Sequence, residues 1–374
     1  MPVKSVMPLE HDIARLFVPD GEAVTIVPLR HGLINDSFLV TTKSGPWAVL
    51  QRINRHVFPK PELIMENLRV LAAHVRGRAV SGNAAGDEIR LPEILKTQDG
   101  RDYVIDAEGG CWRALEYIED SQTIESIKEI RQAEEVGVAL GRFHTLIHNL
   151  DPARLHQTLP GFHDAPGYFT RFLRASARPR HVLVERNLLQ GLSFVENRWG
   201  LTRVLDQARR DGKLMIRPIH GDTKLNNFLF NKNTGKAVSL IDLDTVQPGL
   251  IHFDIGDCLR SCANPAGESP EDIASVCFDL DIGRAILEHY FAETREFLTR
   301  ADFEYFYDAI RLIPFELGLR FLTDHLEGDH YFKIDHPGQN LHRAQVQFRL
   351  TASIEEQEQL IKKLITRFAV MHSR

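Results

Sequence analysis

The chain has 374 residues, 43% hydrophobic and 26% charged, a length and composition that fit two lobes around a sizeable core. Its formal net charge of −6, from 45 Lys+Arg against 51 Asp+Glu, excludes a protein built to neutralise a nucleic-acid backbone. No apolar run approaches the roughly 18 residues of a membrane span, and the opening "MPVKSVMPLEHDIARLF" lacks a secretory signal, so a cytoplasmic chain is expected.

The first third reads as strand-rich. "AVTIVPLR" (23–30), "NDSFLVTT" (35–42) and "WAVLQRI" (47–53) are short alternating or β-branched runs parted by Gly, Asn, Ser and Pro. "PKPELIMENLRVLAAHV" then carries Leu63, Ile64, Leu68, Leu71 and Val75 near the spacing of an amphipathic helix. "YVID" and "CWRALEYI" predict two more strands joined by "AEGG". From about residue 125 helices dominate, beginning with "IKEIRQAEEVGVALGRFHTLIHNL", whose Ile130, Ala133, Val136, Gly137, Leu140, Phe143 and Ile147 form one stripe. Two further long helices are expected in "FEYFYDAIRLIPFELGLRFLTDHLEG" and "QVQFRLTASIEEQEQLIKKLITRF". "NFLF" with "KAVSLIDLD" is the one strand-like interruption expected in this half. Four cysteines, Cys111, Cys258, Cys262 and Cys277, show no C-x-x-C pair or zinc spacing and fit packed thiols.

The chemistry concentrates in "PIHGDTKLNNFLF" (218–230), where His220, Asp222, Lys224 and Asn227 spell H-x-D-x-K-x-x-N between two apolar stretches. Protein kinases use H-R-D-L-x-x-x-N as a catalytic loop, the Asp facing the acceptor hydroxyl and the Asn holding Mg²⁺. Fifteen residues beyond Asn227, the apolar strand of "SLIDLDTVQPG" ends in Asp242, the place of the kinase metal-binding Asp. The residue types suit phosphoryl transfer. A carboxylate, Asp222, can orient an alcohol and accept its proton. Oxygen ligands at Asn227 and Asp242 suit a hard cation. Lys224 can cover a phosphate oxygen, and His220 is expected to brace the loop. "DLD" (242–244) also admits a D-x-D metal site of a glycosyltransferase, although the strand-rich front is unlike the α/β start of such enzymes.

"HGDTKLNNFLF", "IDLDTVQPG" and "FDIGDCLR", with "GLINDSFLVTT", "LQRIN", "WRALEYIE", "FHDAP" and "GLRFLTDHLEGDHYF", resemble in colinear order the aminoglycoside phosphotransferase and choline kinase superfamily, and within it the N-acetylhexosamine 1-kinases. The resemblance implies an α+β, bilobal, protein-kinase-like fold, with a nucleotide-binding N-lobe at 1–118 and a C-lobe at 119–374 that carries the catalytic loop and acceptor site. It implies transfer of the γ-phosphoryl group from ATP, with Mg²⁺, to a sugar hydroxyl, the anomeric 1-OH of GlcNAc or GalNAc, with Asp222 as base. An aminoglycoside, amino alcohol or other hexose as acceptor, and a nucleotide-binding module without catalysis, remain open alternatives. No protein partner is implied.

The nucleotide lobe departs from kinase patterns. There is no P-loop and no G-x-G-x-x-G; in "HGLINDSF", Gly32 with Asn35 and Ser37 offers a short turn that could approach phosphates. The lysine that kinases carry on their third strand is replaced by Gln51, next to Arg52, and only one of these can face the cleft. Glu66, the usual partner of that lysine, is left as a surface carboxylate. Backbone groups of Glu116–Ile118 would meet the adenine edge. For the acceptor the resemblance points to Arg320 and Tyr331. Arg320 sits among Leu317, Leu319, Phe321 and Leu322 and requires either a ligand or an ion pair such as Asp324 one turn on; Tyr331 could be packing alone. Leu33 stands where relatives carry His, and Thr245 is expected to face the cleft and contact substrate or phosphate. Asp254 and Asp257 read as carboxylates at a helix N-terminus, capping amides or bracing a loop. His144 and His148 lie at helical spacing without a third metal ligand.

Overall fold

In the computed structural model, residues 9–19, 22, 24–29, 34–80, 89–177 and 186–372 are described. The front of the chain runs α1 (Leu9–Phe17), β1 (Thr25–Leu29), β2 (Asp36–Thr42), β3 (Gly45–Ile53), α2 (Pro61–Val80), β4 (Ile94–Leu95), β5 (Val104–Ile105) and β6 (Cys111–Glu116). These strands pair antiparallel in the order β1-β2-β3-β6-β4, with β5 also on β6. Alternation along β3 and β6 divides the sheet into two faces. Ala48, Leu50, Trp112 and Ala114 pack with Ile13 and Phe17 of α1 on one face. Ile53 and Cys111 pack with Ile64, Met65 and Leu68 of α2 on the other. Gln51 and Arg113 share that second face by register. The short strand β4 and the helix α1 enlarge this lobe beyond the five strands and one helix expected; β5 is the strand expected in "YVID".

The remainder is mainly helical: β7 (Ser121–Gln122), α3 (Ile130–Ile147), α4 (Ala165–Ser176), α5 (Arg186–Glu196), α6 (Leu201–Arg210), β8 (Arg217–Ile219), β9 (Phe228–Asn231), β10 (Ala237–Leu240), β11 (Gln247–Gly249), α7 (Ile251–Cys262), α8 (Leu280–Glu293), α9 (Arg300–Glu327), α10 (Gln339–Glu356) and α11 (Glu358–His372). The expected stripe of α3 is buried from Ala133 to Ile147, but Ile130 in its first turn is 46% exposed. Gly137 lets α3 lie directly on α8, since a Cβ there would stand 2.3 Å from the Ile286 carbonyl oxygen. α9 starts with a Thr299/Asp302 capping box, ends at Gly328 in the left-handed region, and packs on α4, α7 and α10. Cys258 and Cys262 are both buried on α7, one turn apart.

One expectation is corrected. The helical half holds more strand than "NFLF" and "KAVSLIDLD": β8 pairs with β11 as a three-residue ladder flanking the catalytic-loop motif, and β7 adds to β9. Strands this short carry too few side chains to show alternation, and their pairing depends on partners tens of residues away. The architecture is the expected α+β arrangement, a small antiparallel-sheet N-lobe and a larger helical C-lobe. Among the described residues no helix is long and apolar enough to cross a membrane.

Candidate active site

The segment 220–227 leaves β8, turns, and enters β9, so its polar side chains are held at the mouth of two small ladders. His220 is fully buried, its Nε2–H donating to the Ile241 carbonyl at 3.0 Å while Nδ1 accepts the Asp222 amide at 3.3 Å. With a carbonyl facing Nε2 and an N–H facing Nδ1, the ring is the neutral Nε2–H tautomer, and burial holds its pKa below the ordinary value. This brace ties the loop to the residue before Asp242. Gly221 has φ +87, and a Cβ there would meet the Thr245 carbonyl oxygen at 2.7 Å, so the turn requires glycine.

Asp254 locks the loop from below. Its Oδ2 accepts the His220 amide at 2.7 Å and His144 Nε2 at 2.8 Å, and its Oδ1 accepts the Gly221 amide at 2.8 Å. Burial opposes its charge, but His144 and the loop groups outweigh that and hold the carboxyl below its usual range. Asp254 therefore braces a neighbouring loop and does not cap the amides of α7. Asp257 does not cap them either: it pairs with Arg260, which also holds Glu268. His144 is spent on Asp254 and Tyr290, and His148 Nδ1 faces the Thr145 carbonyl, so the two histidines do not converge on a common point.

Asp222, Lys224, Asn227 and Asp242 form one cluster. Lys224 Nζ donates to Asp222 Oδ2 at 2.6 Å, and Asn227 Nδ2 donates to the same oxygen at 3.0 Å and to the Asp222 carbonyl at 2.7 Å. Burial works against the Asp222 carboxylate, yet the Lys224 ammonium beside it wins and holds its pKa down. Asp242, in the left-handed region at φ 64, is pushed up to about 7 by burial and by the nearby Asp244 and Asp222, with Lys224 and Arg113 only partly relieving it. Asp242 is thus the carboxyl of the cluster that holds its proton most readily.

The other expected site residues are placed as follows. Gly32 and Leu33 lie outside the described residues. Asn35 is buried and fully engaged, Nδ2 donating to Asp244 Oδ2 at 2.8 Å and Oδ1 accepting the Asn54 amide at 2.9 Å. Ser37 Oγ accepts from Gln51 Nε2 at 3.1 Å. Gln51 faces Ser37 and Arg113, and Arg52 lies on the opposite face with Asp106, Glu108 and the Trp112 ring. Glu66 pairs with His156 at 2.7 Å. At the hinge, the Glu116 amide donates to the Glu93 carbonyl, its carboxylate pairs with Arg90, and the Ile118 carbonyl accepts from Ser121 Oγ. Thr245 is buried with its hydroxyl donated to the His220 carbonyl at 2.8 Å, so it braces the loop where exposure to the cleft was expected. Asp244 is sequestered by Arg113 and Asn35, which leaves "DLD" without the two open carboxylates of a D-x-D metal site.

Arg320 and Tyr331 line a second feature, a cavity of about 180 Å³ with Phe162, Tyr168, Arg171, Thr323, Asp324 and Phe332 among its walls. Of the two alternatives for Arg320, the ion pair with Asp324 does not form. Asp324 spends its oxygens on the amides of His330, Tyr331 and Phe332 and on Asn340. The Arg320 guanidinium instead lies 5.1–5.8 Å from the ring centroids of Phe162, Tyr168, Tyr331 and Phe332. Sequence reading did not single out Phe162, Tyr168 or Arg113; the aromatics of "FHDAPGYF" were visible but carried no spacing relative to Arg320.

A family model described as the phosphotransferase enzyme family matches residues 25–284. Three solved structures share the fold. An aminoglycoside phosphotransferase from Alicyclobacillus acidocaldarius subsp. acidocaldarius DSM 446 is 13% identical at a TM-score of 0.59, covering 97% of this chain and 98% of that chain. A choline kinase from Cryptosporidium parvum Iowa II is 14% identical at 0.58, covering 96% and 98%. Spectinomycin phosphotransferase APH(9)-Ia, in complex with ADP and spectinomycin, is 12% identical at 0.52, covering 92% and 100%. At these identities the likeness is one of fold.

Proposed function

The chain belongs to the phosphotransferase enzyme family, and from that premise we propose that it is an ATP- and Mg²⁺-dependent kinase transferring the γ-phosphoryl group to a sugar hydroxyl, the anomeric 1-OH of an N-acetylhexosamine. The observation that carries the reading is the convergence of Asp222, Lys224, Asn227 and Asp242 at one point. Asp222 is ionised and hydrogen-bonded, able to accept the hydrogen bond of an acceptor hydroxyl, orient it and take its proton late in the transfer. Lys224, resting on Asp222, has donors to turn toward a phosphate oxygen. The residues fit a divalent cation: Asp242 is a carboxylate whose charge is poorly compensated, and Asn227, with Nδ2 committed to Asp222, has Oδ1 as its remaining ligand atom. Mg²⁺ held there supplies neutralisation of nucleotide phosphate charge.

We assign the nucleotide to the cleft between the lobe of residues 1–118 and that of 119–374, with the adenine edge at Glu116–Ile118 and Gln51 and Ser37 near the phosphates. Asn35 and Thr245 are assigned to bracing. The aromatic cavity is assigned to the acceptor, with Tyr331 as a stacking face and Arg320 as hydrogen-bond donor. Its chemistry favours a neutral, hydroxyl-rich acceptor. Choline-like and aminoglycoside acceptors are cations and need acids or empty rings, whereas here a guanidinium already occupies the rings and Asp324 is consumed. The ring of Phe162 in the cavity wall lies 4.2 Å from that of His163, and the charges of His163 and Asp222 both act on the Asp257 carboxyl.

An ADP-release screen over GlcNAc, GalNAc, plain hexoses, choline and kanamycin tests the acceptor, with phosphorus NMR locating the phosphate. Asp222→Asn is expected to lower turnover by about 10²-fold or more while Mg-ATP affinity holds. Parallel loss of both, or of neither, would remove Asp222 from the role of base.

A further inference from the structure

The third strand lacks its lysine, yet the same place in the cleft is not without a cation. Register sets Gln51 opposite Ser37 on one side and Arg113 of β6 on the other, all on the face that looks toward the 242–245 turn. The Arg113 side chain is 1% exposed. Its Nε and Nη2 donate to Gln51 Oε1 at 3.1 and 2.8 Å, and Nη2 also donates to Asp244 Oδ1. Asp244 is held in turn by Asn35. Three of the five guanidinium N–H groups are thereby used. Nη1 is buried and has no partner. A strut between the lobes would need only the groups already satisfied; leaving a charged donor buried and unpaired is costly. Asp244, which Arg113 holds, stands two residues from Asp242 in the same turn, so this donor lies against the segment that carries the acid cluster.

We infer that Arg113 supplies the nucleotide-binding cation that the third strand does not. Gln51 and Asp244 clamp the guanidinium, and Nη1 donates to a phosphate oxygen of the nucleotide. Gln51 acts through this clamp, as a positioning residue. The inference rests on the kinase reading, because it needs a nucleotide in the cleft.

The test is equilibrium binding of Mg-ATP, Mg-ADP and adenosine to the wild type, Arg113→Met, and Arg113→Met combined with Gln51→Lys. Arg113→Met is expected to weaken both nucleotides by about 10- to 100-fold, the loss of a charge-assisted contact, and to leave adenosine within about twofold. Returning a lysine to the third strand through Gln51→Lys should recover most of the loss. Arg113→Met with Asp244→Asn leaves no orphaned carboxylate and should keep the same phosphate-selective defect in a chain that folds. Equal losses for nucleotides and adenosine, unchanged nucleotide binding, or no recovery on adding Gln51→Lys would each reduce Arg113 to a strut and overturn the inference. Failure of the wild type to bind any of the three would instead bring down the kinase reading, and this inference with it.

Discussion

Replacing Asp254 with Asn removes one charge and one acceptor from beneath the 220–222 loop. The carboxylate takes three buried N–H groups, from His220 and Gly221 at 2.7 and 2.8 Å and from His144 at 2.8 Å. The isosteric amide has one acceptor oxygen where there were two, so at least one of these hydrogens faces an NH₂ group. That orphaned donor costs about 1–3 kcal/mol, and neutralising the acceptor weakens the surviving bonds by about 1 kcal/mol each, for a total of about 3–5 kcal/mol. The melting temperature should then fall by about 5 °C. Amide hydrogen exchange gives the local readout: protection at His220 and Gly221 should drop by about 100-fold or more, beyond the change in α3 or α9. A melting temperature within about 1 °C of wild type, with unaltered exchange at 220–221, would refute the assignment of Asp254 as the loop's brace.

Gly221→Ala forces a methyl to within 2.7 Å of the Thr245 carbonyl at φ +87. It should lower turnover in an ADP-release assay by about 10- to 100-fold through displacement of Asp222, with the circular dichroism spectrum kept; full activity would show that the turn relaxes without moving its neighbour. The buried His252 donates Nε2–H to the Asp302 carbonyl and has its pKa pushed down to about 4 by burial. The unfolded chain therefore takes up a proton first, so stability is lost as pH falls from about 6.5 to 4, by about 3 kcal/mol from this group. His252→Gln should flatten that part of the melting-temperature profile, and an identical slope in both proteins would exclude His252 as its source.

Much of the site was legible because its chemistry lies in one loop. His220, Asp222, Lys224 and Asn227 are close in the chain, and the apolar "NFLF" run announced the strand β9 that follows them, whereas β8 before them was not legible. Period-2 alternation likewise put Gln51 and Arg52 on opposite faces before any pairing was known. The stripe on α3 is a local pattern of the same kind.

What the sequence left open are the pairings between distant residues. For Asp254 the sequence left capping and loop bracing both open, and only the packing of α7 under the loop turned its carboxylate toward His220 and Gly221. Arg113 became visible as a cleft cation through the β3–β6 register, which sets it opposite Gln51. Arg320 gained its aromatic surroundings from rings at 162, 168, 331 and 332, contributed by segments on either side of α9. Local propensity and alternation act over a few residues and can be read along the chain; the partner of a buried charge is chosen by whichever element the core brings against it, so only the folded arrangement decides it.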